Sequence, residues 1–199
     1  MDLSIESRCI HLEHDHGENR FGAISFPIYQ TATFSHPGLG ESTGYDYTRM
    51  QNPTREHLEK TVAALEKGCD CMAFSSGMAA ITTVMELFKP GDHLIADADL
   101  YGGTIRLFDH ISQKSGIEIT YVNCSRDDVK ACIRENTKAV FIETPTNPMM
   151  NVTDIEALAE ITKENHLLLI VDNTFLSPYQ NIFQHYVMPV PLSQPSSSR

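Results

Sequence analysis

Between residues 54 and 172 the chain alternates short apolar runs with stretches in which apolar residues recur every three or four positions. A short apolar run suits a strand buried on both faces, and the longer period suits a helix that buries one stripe. The spacing predicts helices over 54–65, 78–88, 103–115, 125–134 and 153–165, and strands over 71–74, 93–96, 117–122, 139–143 and 167–171. Thr54 is placed to cap the first helix and Gly68 to follow its end, while Pro90 and Gly91 stop the second. Ser125 with Asp128, and Thr153 with Glu156, have capping-box spacing. Strands separated by helices pair in parallel through crossovers, so the expected class is α/β, with a mainly parallel sheet covered on both faces.

The flanks differ. Residues 1–52 show no sustained period, hold Pro27, Pro37, Gly38, Gly40 and Gly44, and read as an irregular arm; 53–179 reads as the α/β domain. After Tyr179 the text shifts to Gln, Ser, Pro and aromatics, so 180–199 reads as a divergent, disordered tail. A net charge of −11 argues against a nucleic-acid partner, which needs a basic face to displace counterions. The longest apolar run, 167–171, is far short of the roughly 20 residues that span a bilayer. Residues 1–6 lack the basic start of a secretory signal. Cysteines at 9, 69, 71, 124 and 132 form an odd, scattered set that suits reduced thiols in the cytoplasm.

In parallel sheets, ligands bind beyond the carboxyl ends of the strands, where helix N-termini offer unpaired N–H groups. There the sequence offers Ser75-Ser76-Gly77-Met78, a turn able to receive a phosphate, although a lone glycine also suits an ordinary helix start. Neither a GxGxxG nor a GxxxxGK[ST] fingerprint is present, which counts against a nucleotide-binding domain. Asp172 closes an apolar strand, where a buried charge wants a partner such as a protonated ring nitrogen, or simply a cap or loop hydrogen bond. Tyr101, before Gly102-Gly103, suits stacking on a planar ring or plain packing. Asn147, between prolines, suits a ring oxygen or only a turn. In the arm, Tyr47 and Arg49 share a face if extended and can grip one phosphate, or Arg49 is an ordinary surface cation. His11, His14, Asp15 and His16 are close together but fit no standard zinc template, so no metal is expected. Phosphate, aromatic ring and ring nitrogen together describe pyridoxal phosphate (PLP).

Five blocks in order carry a family resemblance: GESTGYDYTRMQNPTR from Gly40, FSSGMAA from Phe74, DLYGGTIRLF from Asp99, ETPTNPMM from Glu143 and VDNTFLSPY from Val171. They resemble the transsulfuration, or Cys/Met metabolism, enzymes that use PLP. The resemblance implies the large domain of the PLP-dependent transferase fold (aspartate aminotransferase-like, fold type I), incomplete here. It also implies small amino-acid substrates and a homo-oligomeric assembly, a dimer of dimers. By that resemblance, Gly77 and Met78 give backbone amides to the cofactor phosphate, and Tyr47 and Arg49 reach the phosphate of a neighbouring subunit. Tyr101 stacks on the ring and serves acid/base steps, Asn147 meets the ring hydroxyl, and Asp172 pairs with the pyridinium nitrogen. Among the branches the text most resembles cystathionine γ-synthases; the YGG at 101–103 lacks the cysteine typical of methionine γ-lyases.

The resemblance also requires a Schiff-base lysine in a Ser-x-Thr-Lys segment, which counting from Asp172 sets near Ser197. No lysine is there: Lys60, Lys67, Lys89, Lys114, Lys130, Lys138 and Lys163 all precede Asp172. By the same resemblance, the C-terminal domain that supplies the substrate-holding arginine is expected to be lacking too. The expectation is therefore a truncated or frame-shifted form, inactive alone and prone to aggregate through an exposed sheet edge. The other readings are a cystathionine/methionine lyase-type enzyme that catalyses β- or γ-elimination, and a non-catalytic chain that binds a cofactor or an intact subunit through its arm.

Overall fold

In a computed structural model, which describes residues 4–10 and 21–176, the central apolar runs become strands of one parallel sheet. The chain divides into two units, 1–73 and 74–199. The second begins with α3 (Gly77–Met85), followed by β1 (His93–Asp97), α4 (Gly102–Ser115), β2 (Glu118–Val122), a 3-10 turn (Val129–Cys132), β3 (Thr137–Glu143), α5 (Ile155–Glu164) and β4 (Leu168–Asp172). The strand order is β2-β1-β3-β4, all parallel.

The two-residue period of a strand divides the core. One face buries Ile95, Val140, Ile142 and Leu169 against Leu158 and Ala159 of α5. The other buries Leu94, Ala96, Ala139 and Phe141 against Met85 of α3 and Phe108 of α4. Phe108 and Phe141 meet edge to face at 5.0 Å, the arrangement that aromatic quadrupoles favour. Helices on both faces explain why β1, β3 and β4 read as largely apolar runs, as expected from the sequence, while the edge strand β2 is only partly covered.

The first unit holds α1 (Ile5–Ile10), the arm and α2 (Pro53–Leu65). The arm is less irregular than its composition suggests: α1 lies within it, and Thr33 bridges Tyr47 in an antiparallel pair. The unit boundary falls after Ala73 rather than after residue 52, because α2 is bonded to the arm. Arg55 donates to the carbonyls of Thr48 (3.1 Å) and Met50 (2.6 Å), Tyr29 N–H donates to Thr54 Oγ1 (2.8 Å), and Phe26 stacks on His57 at 4.2 Å.

Several local expectations are corrected. Asn52, in extended conformation, caps α2 in place of Thr54, with Pro53 in the first turn where a missing N–H costs nothing. The left-handed residue after α2 is Lys67, not Gly68. Residues 71–74 form no strand: Cys71 N–H donates to Asp70 Oδ1 and Ala73 N–H to Glu59 Oε1, and they pair with no other strand among the described residues. The helix expected over 125–134 is only the 3-10 turn. Asn123, Asp127 and Asp128 accept nearby backbone N–H groups in local turns, and the Lys130 N–H that a longer helix would need is held by Asp128. Asp154, not Thr153, caps α5, since Thr153 N–H is committed to Thr144 Oγ1. The tail over 180–199 lies outside the described residues. All five cysteines are free, and no helix among the described residues is long and apolar enough to cross a membrane.

At the amino edge of the sheet, His93 is 0% exposed and lies between two hydroxyls, Nδ1 at 2.7 Å from Thr137 Oγ1 and Nε2 at 2.8 Å from Thr120 Oγ1. Burial, with the Arg134 charge second, holds its pKa below the ordinary histidine value, and Glu118 opposes weakly. The unfolded chain then takes up a proton at a pH where the folded chain does not. His93 therefore removes stability as pH falls below about 6.5. Urea titrations of wild type and His93→Gln between pH 7.5 and 5.5 should show a steeper acid loss in wild type. In the same assay at pH 7.5, Phe141→Ala should lower stability by about 3–5 kcal/mol.

Candidate functional site

β1 leads outward to β2, and β3 outward to β4 on the other side, so the strand order reverses between β1 and β3. Connections that leave in opposite directions open a crevice beyond the carboxyl ends at that point, the usual ligand position in such sheets. Four of the five sequence blocks begin at or beside the carboxyl end of a strand or at the start of a helix there.

Glu143, the last residue of β3, is 3% exposed. Its Oε2 accepts from Tyr101 N–H at 2.8 Å and its Oε1 from Asn147 N–H at 2.9 Å. In return Asp99, beyond β1, accepts on Oδ2 from the Thr146 hydroxyl and from Asn151 Nδ2 at 2.9 Å. The turn after β1 and the turn after β3 are thus tied in both directions. Burial pushes the Glu143 carboxyl above the ordinary glutamate value. Its two N–H donors oppose that shift, and the nearby Asp172 and Asp99 charges add to it. Burial likewise raises Asp97.

Tyr101 stands at the N-cap of α4 with its side chain 47% exposed. A Cβ on Gly103 would lie 2.4 Å from Tyr101 Cε1 and 3.2 Å from Met78 Sδ, so the ring and the start of α3 meet over a position only glycine leaves open. Ser76 caps α3 by accepting from Ala79 N–H (3.2 Å). Beside it Gly77 is exposed, with nothing within 4 Å of where its Cβ would be. Asp172 ends β4 in register with Glu143, and its carbonyl accepts from Thr144 N–H. Its carboxylate accepts from Thr174 N–H at 3.1 Å and from the Thr174 hydroxyl. The half-buried Asn147 is placed by its own N–H on Glu143.

The structure therefore brings Met78 to Tyr101, Tyr101 and Asn147 to Glu143, and Glu143 to Asp172. Tyr47 and Arg49 belong to the other unit. There the Arg49 guanidinium lies 5.0 Å from the Tyr47 ring centroid, and both line an open hollow of about 670 Å³ with Tyr29, Gln30, Thr31 and Thr48. The acidic histidine stretch at 11–16 and position 197 lie outside the described residues. The described residues hold no group of three metal-ligating side chains. Sequence reasoning passed over Glu143 and Asp99 as site residues. The available signal was the one that marked Asp172, an acid closing an apolar run.

A family model described as Cys/Met metabolism PLP-dependent enzyme matches residues 6–186. The chain is 56% identical over 158 residues to a cystathionine gamma-synthase/O-acetylhomoserine (thiol)-lyase of Bacillus subtilis, covering 79% of this chain and 42% of the relative. It is 52% identical over 164 residues to a cystathionine gamma-lyase of the same organism, covering 82% and 43%. Among solved structures, cystathionine gamma-lyase from Lactobacillus plantarum, complexed with L-serine, superposes with a TM-score of 0.80 at 44% identity, covering 89% of this chain and 46% of that one. The chain spans less than half the length of each.

Gly103→Ala tests the packing of Tyr101. A Cβ there drives the exposed ring aside, while alanine favours the helix by roughly 0.5–1 kcal/mol over glycine. Urea stability should hold or rise slightly, and PLP affinity, read by equilibrium dialysis, should fall.

Proposed function

Starting from a chain that belongs to the Cys/Met metabolism PLP-dependent enzymes, we propose that it carries the N-terminal arm and much of the cofactor-holding domain of a cystathionine γ-synthase-like enzyme. Such an enzyme replaces the γ-substituent of an activated homoserine ester with the thiol of cysteine. The observation that supports this most is the convergence of Tyr101, Asn147 and Asp172 around Glu143 at the strand-order reversal, with Met78 beside Tyr101 at Gly103.

The residues fit PLP. Gly77 leaves open space at the start of a nine-residue helix, where free N–H groups and the helix dipole favour phosphate. Gly77 and Met78 would hold that phosphate by backbone amides, and Tyr47 with Arg49 would serve the phosphate of a neighbouring subunit. Tyr101 would cover the ring and hold or pass a proton at Oη, Asn147 would donate to the ring hydroxyl, and Asp172 would keep the ring nitrogen protonated. When bound, the cofactor supplies an electron sink for carbanion chemistry at the amino-acid substrate. The protein acts in the cytoplasm as a homo-oligomer.

The 199-residue polypeptide binds PLP without covalent attachment and does not turn over by itself. The lysine positions support this. In the second unit Lys138 is the second residue of β3, Lys114 and Lys163 lie in the last turns of α4 and α5, Lys89 precedes β1, and Lys130 is paired with Glu164. Each of these belongs to the amino edge of the sheet, opposite Asp172.

Equilibrium dialysis with PLP, borohydride reduction, peptide mass spectrometry and an assay with O-acetylhomoserine and cysteine test the reading together. Saturable PLP binding, no pyridoxyl-lysine peptide and no cystathionine are expected. A single reduced lysine peptide accompanied by turnover overturns the inactivity, and absence of saturable binding overturns the cofactor-holding role.

A further inference from the structure

We propose that Glu143 is a positioning residue: its carboxylate ties the Tyr101 turn to the Asn147 turn across the crevice between β1 and β3, and so sets the spacing of two side chains offered to a planar ligand. The role in ligand binding rests on the cofactor-holding reading above; the tie itself does not.

Three observations carry it. Both carboxylate oxygens are used, one by Tyr101 N–H at 2.8 Å and one by Asn147 N–H at 2.9 Å, so one rigid group on a buried strand fixes two turns that are 46 positions apart in the chain. Glu143 is 3% exposed, and the charges that face it are themselves negative, Asp172 in register on β4 and Asp99 beyond β1. A buried acid between two others costs stability, so packing alone gives no reason for it. Finally, the Asp99 bonds to Thr146 and Asn151 fix the same pair of turns from the opposite side, leaving the spacing little freedom.

Glutamine at 143 keeps the shape but turns one acceptor into a donor facing an N–H, so one of the two ties must break. Aspartate keeps the charge and loses a methylene of reach.

The test follows the Tyr101 and Asn147 amide protons of the full chain by ¹⁵N–¹H spectroscopy from pH 4 to 8. In wild type both should titrate with one shared midpoint above the ordinary glutamate value, and Asp172→Asn should lower it. In Glu143→Gln neither should titrate. Separate midpoints, or no titration, in wild type overturn the proposal without requiring any variant to fold. In dialysis, Glu143→Gln should weaken PLP binding by roughly ten- to a hundredfold, the effect of one lost charge-assisted hydrogen bond. In a Tyr101→Ala, Asn147→Ala background the same change should add little, since those residues transmit it. A full additional loss there overturns the positioning role. Wild type that takes up no PLP overturns the proposed function and the ligand role with it, while the shared midpoint still decides whether the tie exists.

Discussion

The carboxyl edge of the sheet is organised by a pair of acids that exchange hydrogen bonds across the reversal in strand order. Glu143 reaches from β3 to the turn after β1, and Asp99 reaches from beyond β1 to the turn after β3. Loops at such an edge ordinarily move more than the strands that carry them. Here the backbone N–H groups of Tyr101 and Asn147 are committed to one buried carboxylate, so the loops inherit the rigidity of the sheet. Tyr101 in turn rests on Gly103, where the start of α4 meets Met78 from α3. Strand ends and helix starts distant in sequence become one surface because each passes its position to the next.

What was legible in the sequence follows from which forces are local. The runs at 93–97, 137–143 and 168–172 contain buried strand residues whose apolar character follows from helices on both faces, and the edge strand at 118–122 is only partly covered, yet the pattern located all four. The region 71–74 has similar composition and no strand, because a strand exists through a ladder with a partner, which composition cannot display. At 125–134 the sequence shows helix-compatible spacing, yet short side chains bond the local backbone into turns and only the 3-10 turn forms. Asp172 was found by asking why an acid should end an apolar run. The same question put to Glu143 would have exposed the tie, but its partners are backbone amides, and backbone leaves no mark in sequence.

The arm shows a different limit. Pro and Gly content suggested irregular chain, and much of it is irregular, but Asn52 alone bonds to Tyr29 O, Thr48 Oγ1 and Thr54 N–H. One amide side chain at a helix cap thereby fixes two arm segments to α2. Tyr47 and Arg49 sit within this fixed segment, and the guanidinium covers the phenol ring rather than pointing freely into solvent. The i and i+2 spacing anticipated a shared face only for extended chain; residues 48–50 instead form a turn in which the Met50 and Gln51 N–H groups donate to the Tyr47 carbonyl, and it is within this turn that Arg49 meets the Tyr47 ring.

The distribution of charge in the sheet unit explains what each edge can do. Helix dipoles favour cations at helix C-termini, and in a parallel α/β arrangement those ends lie at the amino edge of the sheet. Lys114 and Lys163 occupy such last turns, and Lys138 is the second residue of a strand at the same edge. The opposite edge collects Asp97, Asp99, Glu143 and Asp172. Arg106 of α4 is the cation nearest the start of that helix, its Nη1 lying 3.5 Å from where a Cβ on Gly102 would be. In the proposed function, an edge so composed would suit a cationic ring nitrogen at Asp172, and within this unit the phosphate would be met mainly by backbone N–H groups at a helix start. Gly77 leaves open space at that helix start, room that a Cβ would occupy and that the proposed phosphate would need.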